Sequence, residues 1–219
     1  MIDATSTGTP HGYLALPPAS VGPGVLLLHA WWGLNPFFIE LANRLAHEGF
    51  VVFAPDLNAG EVATTIDEAK ALMARRDDAQ LAQMVLAAHD LLRANPAVRG
   101  TDLGTLGFSM GAGWASWLSV ERPASIAATT IFYGTWAIDF TPARSAYLGH
   151  FAEQDAWEPL DDVRAMETAL RAADRETTLH FYPGTQHWFM ETNRPEYDPQ
   201  AAELAWQRTV VFFKTKLAA

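Results

Sequence analysis

Short continuous apolar runs alternate along this chain with longer segments whose apolar residues recur at helical spacing. The run GVLLLHA (24–30) is followed by NPFFIELANRLAHEG (35–49), in which the apolar side chains fall on one helical face. Pro36 suits the first turn of this helix, and Gly49 suits its end. The pattern therefore predicts a buried strand followed by an amphipathic helix.

The same alternation continues to the end of the chain. Further strands are predicted at residues 50–57, 101–108, 125–134, 145–152 and 177–184. Helices are predicted at residues 66–93, with a break near the charged sequence RRDD at 75–78, and at 160–174 and 198–219. Strands that are buried on both faces and joined by helices indicate a mostly parallel, doubly wound α/β sheet with helices on both faces. Ligands bind such sheets beyond the carboxyl ends of the strands.

Length and composition favour a single soluble domain over residues 1–219, with residues 1–10 as a flexible N-terminus. The 219 residues suffice for one sizeable core, and 49% of them are hydrophobic. No stretch approaches the ~20 uninterrupted apolar residues of a membrane span. The first residues, MIDATSTGTPHG, lack the basic and apolar regions of a secretion signal, so a cytoplasmic location is expected.

Charge and cysteine content narrow the possible chemistry. The chain has no cysteine, which excludes disulfides, thiolate zinc sites and a cysteine nucleophile. Its formal net charge of -10 disfavours nucleic acids and anionic membranes as partners, because both bind clustered lysine and arginine. Covalent chemistry must therefore use another side chain.

The sequence GFSMGAG (107–113) offers such a side chain. Gly107, Ser109 and Gly111 form the pattern G-x-S-x-G, in which small neighbours let the backbone turn sharply and expose the serine. The pattern alone also occurs in ordinary glycine-rich loops. Here it follows a predicted strand and precedes the helical sequence AGWASWLSV, which is the arrangement that a nucleophile turn requires.

A serine nucleophile needs a histidine and an orienting carboxylate, and in this fold they follow the serine in the order acid, then histidine. Asp155 lies just beyond a predicted strand and is the predicted acid. Its side chain is shorter and easier to hold rigidly than those of Glu153 and Glu158 in the same loop. Asp139, after the preceding strand, is a further alternative.

His187 is the predicted base. It lies past the last predicted strand, in FYPGTQHWF, where proline and glycine let the chain turn toward the site. Five other histidines are interpreted as surface or core residues: His29, His47, His89, His150 and His180.

Ester cleavage also needs two donors for the oxyanion of the tetrahedral intermediate. One is predicted to be the backbone N–H of Met110, which follows the nucleophile at the start of a helix. The other is predicted to be the backbone N–H of Trp31, in the loop after the first predicted strand. Losing one such donor typically costs about 3 kcal/mol in the barrier.

These residues resemble the dienelactone hydrolase family of α/β-hydrolases over nearly the whole chain. Five segments fall in the family's order and approximate spacing: HAWWGLNPFFIELANRLAHEGFVVFAPDL, LGTLGFSMGAG, IFYG, GHFAEQD and YPGTQHWF. The resemblance implies an α/β-hydrolase fold and the triad Ser109, Asp155 and His187. It also implies a monomeric soluble hydrolase that uses neither a metal nor an organic cofactor.

Three positions depart from the family's namesake. The namesake has a cysteine where this chain has Ser109, and a glutamate in the oxyanion loop where this chain has Ala30. These two changes agree, because a serine that histidine activates directly needs no such acidic partner. The namesake also has a substrate-binding arginine where this chain has Glu191, which is expected to repel an anionic substrate. Arg194 is interpreted as an exposed loop charge.

The positions of the tryptophans along the chain indicate the class of substrate. Five of the eight tryptophans fall in predicted loops at the catalytic edge: Trp31, Trp32, Trp136, Trp157 and Trp188. Core packing is the alternative for any one of them, but their clustering suggests an aromatic-lined apolar pocket. We therefore expect a neutral ester or lactone with an apolar or aromatic group as the substrate.

The leading interpretation is a carboxylic ester hydrolase that forms an acyl-enzyme on Ser109. The sequence leaves open dienelactone hydrolysis proper, acyl transfer or peptide cleavage by the same triad, and a non-catalytic protein that binds a ligand in a hydrolase pocket. A nucleotide-binding role for the glycines is disfavoured, because the chain lacks G-x-G-x-x-G at this point and a phosphate-loop lysine.

Overall fold

A seven-stranded sheet runs through the part of the chain that the computed structural model describes, residues 11–218. The flexible N-terminus predicted at residues 1–10 lies outside the described residues. The strands are β1 (Gly12–Ala15), β2 (Gly22–Leu28), β3 (Val51–Pro55), β4 (Val98–Phe108), β5 (Ile126–Phe132), β6 (Ala146–Ala152) and β7 (Thr177–Tyr182). Their order across the sheet is β1-β3-β2-β4-β5-β6-β7. Every neighbouring pair is parallel except β1 and β3, so the mostly parallel sheet is confirmed.

Within residues 11–218, six helices cover the two faces of this sheet. They are α1 (Pro36–His47), α2 (Ile66–Ala74), α3 (Asp78–Arg93), α4 (Met110–Glu121), α5 (Leu160–Ala172) and α6 (Pro199–Lys216). In β2, Val25 and Leu27 pack into the cluster that contains α1 and α6, whereas Leu26 and Leu28 pack into the cluster that contains α3 and α4. Burial on both faces explains why this strand is a continuous apolar run rather than an alternating one.

Side-chain caps fix where the helices begin. The Asn35 side chain accepts a hydrogen bond from the backbone N–H of Phe37 at 3.0 Å, and Thr65 forms a capping box with Glu68 at the start of α2. The Asp77 side chain caps α3. The predicted break near RRDD is therefore confirmed, because α2 ends at residue 74 and α3 begins with a new cap.

The sequence pattern missed β1. This strand has only four residues, and it pairs antiparallel with β3 at the sheet edge, with Gly12 opposite Pro55. Only Ala15 of the four is buried, so neither a continuous apolar run nor a clear alternation marks the strand. Tertiary pairing defines it, and local pattern does not.

The carboxyl ends of the parallel strands bring the chemically important loops together. The loops after β2, β4, β5, β6 and β7 all leave the sheet at the same edge. Among the described residues, no helix is long and apolar enough to cross a membrane.

Candidate active site

Ser109 lies in a sharp turn between β4 and α4. Its backbone has φ 49 and ψ -112, a conformation that non-glycine residues rarely adopt. A β-carbon on Gly107 would overlap the carbonyl oxygen of Gly111, and one on Gly111 would overlap the carbonyl oxygen of Leu28. The two glycines are therefore required by close backbone approach, and they allow the strained turn that presents the serine.

His187 lies between Ser109 and Asp155. Its Nε2 is 3.0 Å from Ser109 Oγ, and its Nδ1 is 2.7 Å from Asp155 Oδ2. The histidine is 3% exposed and the Asp155 side chain 6% exposed. An ionised carboxylate at Nδ1 favours the tautomer that carries the proton there, which leaves Nε2 free to accept the serine proton.

The loop after β6 holds the carboxylate of Asp155 in place. Asp155 Oδ1 accepts hydrogen bonds from the backbone N–H of Trp157 at 2.8 Å and of Glu158 at 2.9 Å. One oxygen is thus used by the loop and the other by the histidine. Because the loop holds Oδ1, the other oxygen of Asp155 is directed at His187.

The alternative carboxylates have other partners. Glu153 accepts a hydrogen bond from the backbone N–H of Gly184, and Asp139 accepts one from the backbone N–H of Thr141. Glu158 accepts hydrogen bonds from both the backbone N–H and the hydroxyl of Thr135. Burial raises the pKa of Glu158 above its ordinary value, although these two hydrogen bonds oppose the rise.

Three other histidines are buried, His29, His89 and His150, and two of them lie in the sheet region. His29 Nε2 accepts a hydrogen bond from the backbone N–H of Leu57, and its Nδ1 donates to the carbonyl of Ala30. His150 hydrogen-bonds with the hydroxyls of Tyr182 and Thr209. Burial lowers the pKa of His29 and His150, so they stay neutral and support the fold beneath the site.

A cavity of about 290 Å³ borders Ser109. Of the predicted site residues, Trp31, Met110 and Trp136 line it. The sequence analysis did not single out four further lining residues: Met73, Arg76, Trp114 and Thr135. Met73 and Arg76 lie at the break between α2 and α3. The sequence pattern predicted this break, but nothing in the pattern indicated that it faces Ser109.

The predicted oxyanion donors come from two different segments beside Ser109. Met110 is the first residue of α4, where backbone N–H groups have no carbonyl of a preceding turn to bind. Trp31 belongs to the loop after β2, whose backbone is held by a hydrogen bond from the Asn58 side chain to the Trp31 carbonyl at 3.2 Å. Both residues line the cavity beside Ser109.

The sequence and the fold were compared with known proteins. The model of the dienelactone hydrolase family matches residues 11–217. This chain belongs to the dienelactone hydrolase family. It is 32% identical over 216 residues to "Protein usf" of Aquifex pyrophilus, covering 94% of this chain and 93% of that protein.

Two further similarities agree with this family. The chain is 30% identical to the "Putative carboxymethylenebutenolidase" of Aquifex aeolicus (strain VF5), again covering 94% of this chain and 93% of that protein. The crystal structure of a dienelactone hydrolase-like promiscuous phosphotriesterase from metagenomic libraries superposes with a TM-score of 0.83 at 23% identity, covering 94% of this chain and 92% of the other. The α/β-hydrolase fold is therefore confirmed.

Four of the five tryptophans predicted to line the pocket of this family member form a mutual cluster. The ring of Trp31 lies 5.3 Å from Trp32 and 5.2 Å from Trp157, and Trp188 packs against all three. Of these four, only Trp31 lines the cavity beside Ser109. Trp32 and Trp188 are buried, so they pack the loop that carries the histidine.

Glu191, which was expected to repel an anionic substrate, lies inside the protein. It is fully buried, and its Oε1 accepts a hydrogen bond from the hydroxyl of Tyr133 at 2.9 Å. Burial raises the pKa of Glu191 to about 8, against the opposing effects of the Tyr133 hydrogen bond and the Arg194 charge. At neutral pH the carboxyl is therefore mostly protonated, and the argument that it repels an anionic substrate fails.

Arg194 is not an exposed loop charge either. Its guanidinium carbon lies 3.9 Å from the centre of the Trp32 ring and 5.2 Å from that of Trp188, and only 13% of the side chain is exposed. A guanidinium over an indole face is attracted by the ring electrons. The sequence interpretation of Arg194 was wrong, because the local pattern does not show its ring contacts. Trp32 is far from Arg194 along the chain, and a turn separates Trp188 from it.

Among residues 11–218, no group of three or more histidine, aspartate or glutamate side chains is arranged to hold a metal ion. The charged groups that line the cavity beside Ser109 are Arg76 and Glu158. Arg76 donates to Asp78 from Nε at 2.6 Å, and its side chain is 24% exposed. The cavity thus combines aromatic walls with one cationic and one acidic group.

Proposed function

We propose that this protein is a serine hydrolase that cleaves small carboxylic esters or lactones through an acyl-enzyme on Ser109. The observation that carries the proposal is the continuous contact from Asp155 through His187 to Ser109, with distances of 2.7 and 3.0 Å. The names of its relatives support it: one in Aquifex aeolicus is named "Putative carboxymethylenebutenolidase", and one in Bradyrhizobium sp is named "Probable 2-oxo-3-(5-oxofuran-2-ylidene)propanoate lactonase".

The mechanism follows from the positions of these groups. His187 Nε2 takes the proton of Ser109 Oγ as that oxygen attacks the substrate carbonyl, and Asp155 stabilises the imidazolium that forms. The backbone N–H groups of Met110 and Trp31 stabilise the oxyanion. The imidazolium then protonates the departing alkoxide, and a water molecule deprotonated by His187 releases the acid and regenerates Ser109.

The cavity supports a small substrate with a flat apolar part. Indole rings of Trp31, Trp114 and Trp136 contribute to its walls, and its volume is about 290 Å³. Aromatic walls bind apolar and aromatic groups through burial of surface and ring contacts. A neutral aryl ester or a small lactone matches these walls.

A second candidate is hydrolysis of a carboxylate-bearing ester or lactone, as in dienelactone hydrolysis proper. Arg76 favours it, because its guanidinium is the one cation that lines the cavity beside Ser109 in the described part of the chain. The 2.6 Å contact with Asp78 already neutralises part of this charge, which is why the neutral substrate is preferred here.

A panel of matched aryl esters, neutral and carboxylate-bearing, tests the proposal. We expect hydrolysis of the neutral esters, with kcat/KM lowered about 10⁴-fold or more in Ser109→Ala, and covalent labelling of the wild type by a fluorophosphonate. A preference for the anionic esters that disappears in Arg76→Ala would establish the second candidate instead. Absence of an adduct, or an adduct that Ser109→Ala retains, would reject the enzymatic proposal and favour a ligand-binding protein.

Acyl transfer and peptide cleavage use the same triad with another acceptor or leaving group. Product analysis separates them: free acid in water indicates hydrolysis, and a new ester or amide formed with an added alcohol or amine indicates transfer. A monomeric state and a cytoplasmic location stay predictions.

A further inference from the structure

Trp136 also lines a second cavity, which Ser109 does not border. The volume of this second cavity is about 560 Å³, compared with about 290 Å³ for the cavity that borders Ser109. It lies between the loop after β5 and α5, and most of its lining side chains are apolar, among them Ile138, Phe140 and Met166. A cavity of this size and lining is suited to an apolar chain.

The two cavities share a wall. Thr135 and Trp136 line both of them. The Trp136 ring packs edge-on against Trp114, with ring centres 5.0 Å apart and planes at 83°. It also lies over α4 where that helix has no side chain, since a β-carbon on Gly113 would come 3.1 Å from Cε3 of Trp136. One indole therefore separates the space beside Ser109 from the larger apolar space.

We propose that Trp136 determines the length of substrate that the enzyme accepts, and that the second cavity is a latent subsite for the longer arm of an ester. The proposal rests on ester hydrolysis at Ser109 as the function. With the indole in place, the ester is confined to the smaller cavity, and short substrates are selected. Removing the indole joins the cavities and lets a longer chain be buried.

The rim of the second cavity sets the chemical class of that chain. Asp139 and Asp162 both line it, and both are exposed. Two carboxylates at the rim disfavour a chain that ends in another carboxylate, because like charges repel. The subsite therefore suits an uncharged alkyl or aryl chain.

The test is a chain-length profile of kcat/KM in the wild type and in Trp136→Ala. One series consists of p-nitrophenyl esters from acetate to decanoate, and the other of acetates of alcohols from ethanol to decanol. The wild type is expected to favour the short members of both series. In Trp136→Ala, the ratio of kcat/KM for the eight-carbon member to that for the two-carbon member should rise by about tenfold or more in at least one series, since a single buried methylene changes kcat/KM by about tenfold at the lower end of the usual range.

Two further variants control for general loosening of the site. Trp117 also packs edge-on against Trp114, with ring centres 5.3 Å apart, and lines neither cavity. Trp117→Ala should leave the chain-length ratio unchanged. Ala169 lines the second cavity, so adding Ala169→Phe to Trp136→Ala should remove the gain for long chains. Trp136→Phe, a smaller truncation, replaces Trp136→Ala if the latter does not fold.

The outcomes separate this proposal from the proposed function. An unchanged ratio in both series, with acetate hydrolysis that still depends on Ser109, overturns the role of Trp136 and leaves the esterase intact. A wild type that already prefers decanoyl esters also overturns it. If the wild type shows no Ser109-dependent hydrolysis of any ester in the two series, the function on which the proposal rests is rejected instead. A gain for an alkyl chain but none for a chain ending in a carboxylate supports the uncharged class.

Discussion

The turn at residues 107–113 and the loop at residues 183–198 hold the side chains of Ser109 and His187 by opposite means. The turn presents Ser109 because Gly107 and Gly111 lack side chains where backbones come into close approach. The loop presents His187 through large buried side chains, with Trp188 at its centre. Both contain a residue with a positive φ, 49° at Ser109 and 68° at Trp188. Ser109, the proposed nucleophile, is positioned by the absence of neighbouring side chains, and His187, the proposed base, by packed side chains.

The difference predicts how each region fails. Adding one methyl group to the turn creates overlap with backbone that has no room to move. Substitutions in the loop at residues 183–198 alter the packing and charge around His187, but the imidazole can still occupy the same position. The turn should therefore be sensitive to size, and the loop to polarity and pH.

The contact between Asp155 and His187 is expected to give the largest effect on activity. In Asp155→Asn, the side-chain oxygen can still accept from the N–H groups of Trp157 and Glu158, but the amide would favour the wrong histidine tautomer. We expect kcat to fall about 10⁴-fold with little change in melting temperature. Steady-state kinetics and thermal denaturation measure the two quantities, and near wild-type activity would contradict the assigned acid.

Gly111→Ala tests the size dependence of the turn. Its β-carbon would overlap the carbonyl oxygen of Leu28, so we expect a loss of about 3 kcal/mol in the free energy of unfolding, measured by urea denaturation. Gly184→Ala is the matched control in the histidine loop. Gly184 has a φ of 74°, and a β-carbon added there would have no other atom within 4 Å. Only backbone strain of about 1 kcal/mol is therefore expected. Equal losses in the two variants would remove the distinction drawn between the regions.

Glu191 tests the pH dependence of the loop. Because burial raises its pKa from 4.5 to about 8, the folded protein keeps a proton that the unfolded chain loses between these values. The free energy of unfolding should therefore fall with rising pH across this range, by at most about 1.4 kcal/mol per pH unit from this group. Below pH 4.5 the carboxyl is protonated in both states and contributes no such loss.

Glu191→Gln removes this titration but keeps an oxygen that can accept from Tyr133. Urea denaturation at pH 5, 6, 7 and 8 should show that the variant gains stability relative to the wild type as the pH rises. Other titrating groups contribute to both proteins and cancel in the difference. A stability difference that is independent of pH would contradict the raised pKa.

Arg194 is expected to give the smallest effect. Removing its guanidinium in Arg194→Ala takes away the contacts with Trp32 and Trp188, which should cost about 1 kcal/mol of stability. The ratio of kcat/KM for neutral and carboxylate-bearing esters should not change, because Arg194 does not line the cavity beside Ser109. A specific loss for anionic esters would instead place Arg194 in substrate binding.

Much of the fold was predictable because burial on both faces leaves a local record. The continuous apolar run of β2 and the amphipathic helix α1 that follows it appear directly in the sequence, and so do the mostly apolar strands β5 and β6. The predicted ends differ from the observed ones by a few residues, and His29 and Ala30, predicted in a strand, lie just beyond β2. Only β1 was missed, since pairing with β3 defines it.

The site was predictable only in part. Ser109, Asp155 and His187 follow strand ends, which a chain pattern reveals, and the structure places them within hydrogen-bonding distance. Arg76 and Met73 come from a helix break that bears no catalytic pattern. Whether Arg76 and Met73 come close to Ser109 depends on how α2 and α3 pack against the rest of the fold, which the order of residues does not specify.

The sequence by itself determined the order of the helices and of strands β2 to β7, the sharp turn at Ser109 and the absence of cysteine chemistry, because each depends on residue types at short spacing. Only the tertiary structure decided the environment of Glu191, the stacking of Arg194 on Trp32 and the place of Trp136 between two cavities. Burial, pKa and cavity shape depend on neighbours that are distant along the chain, and these neighbours meet only when the sheet and its loops are assembled.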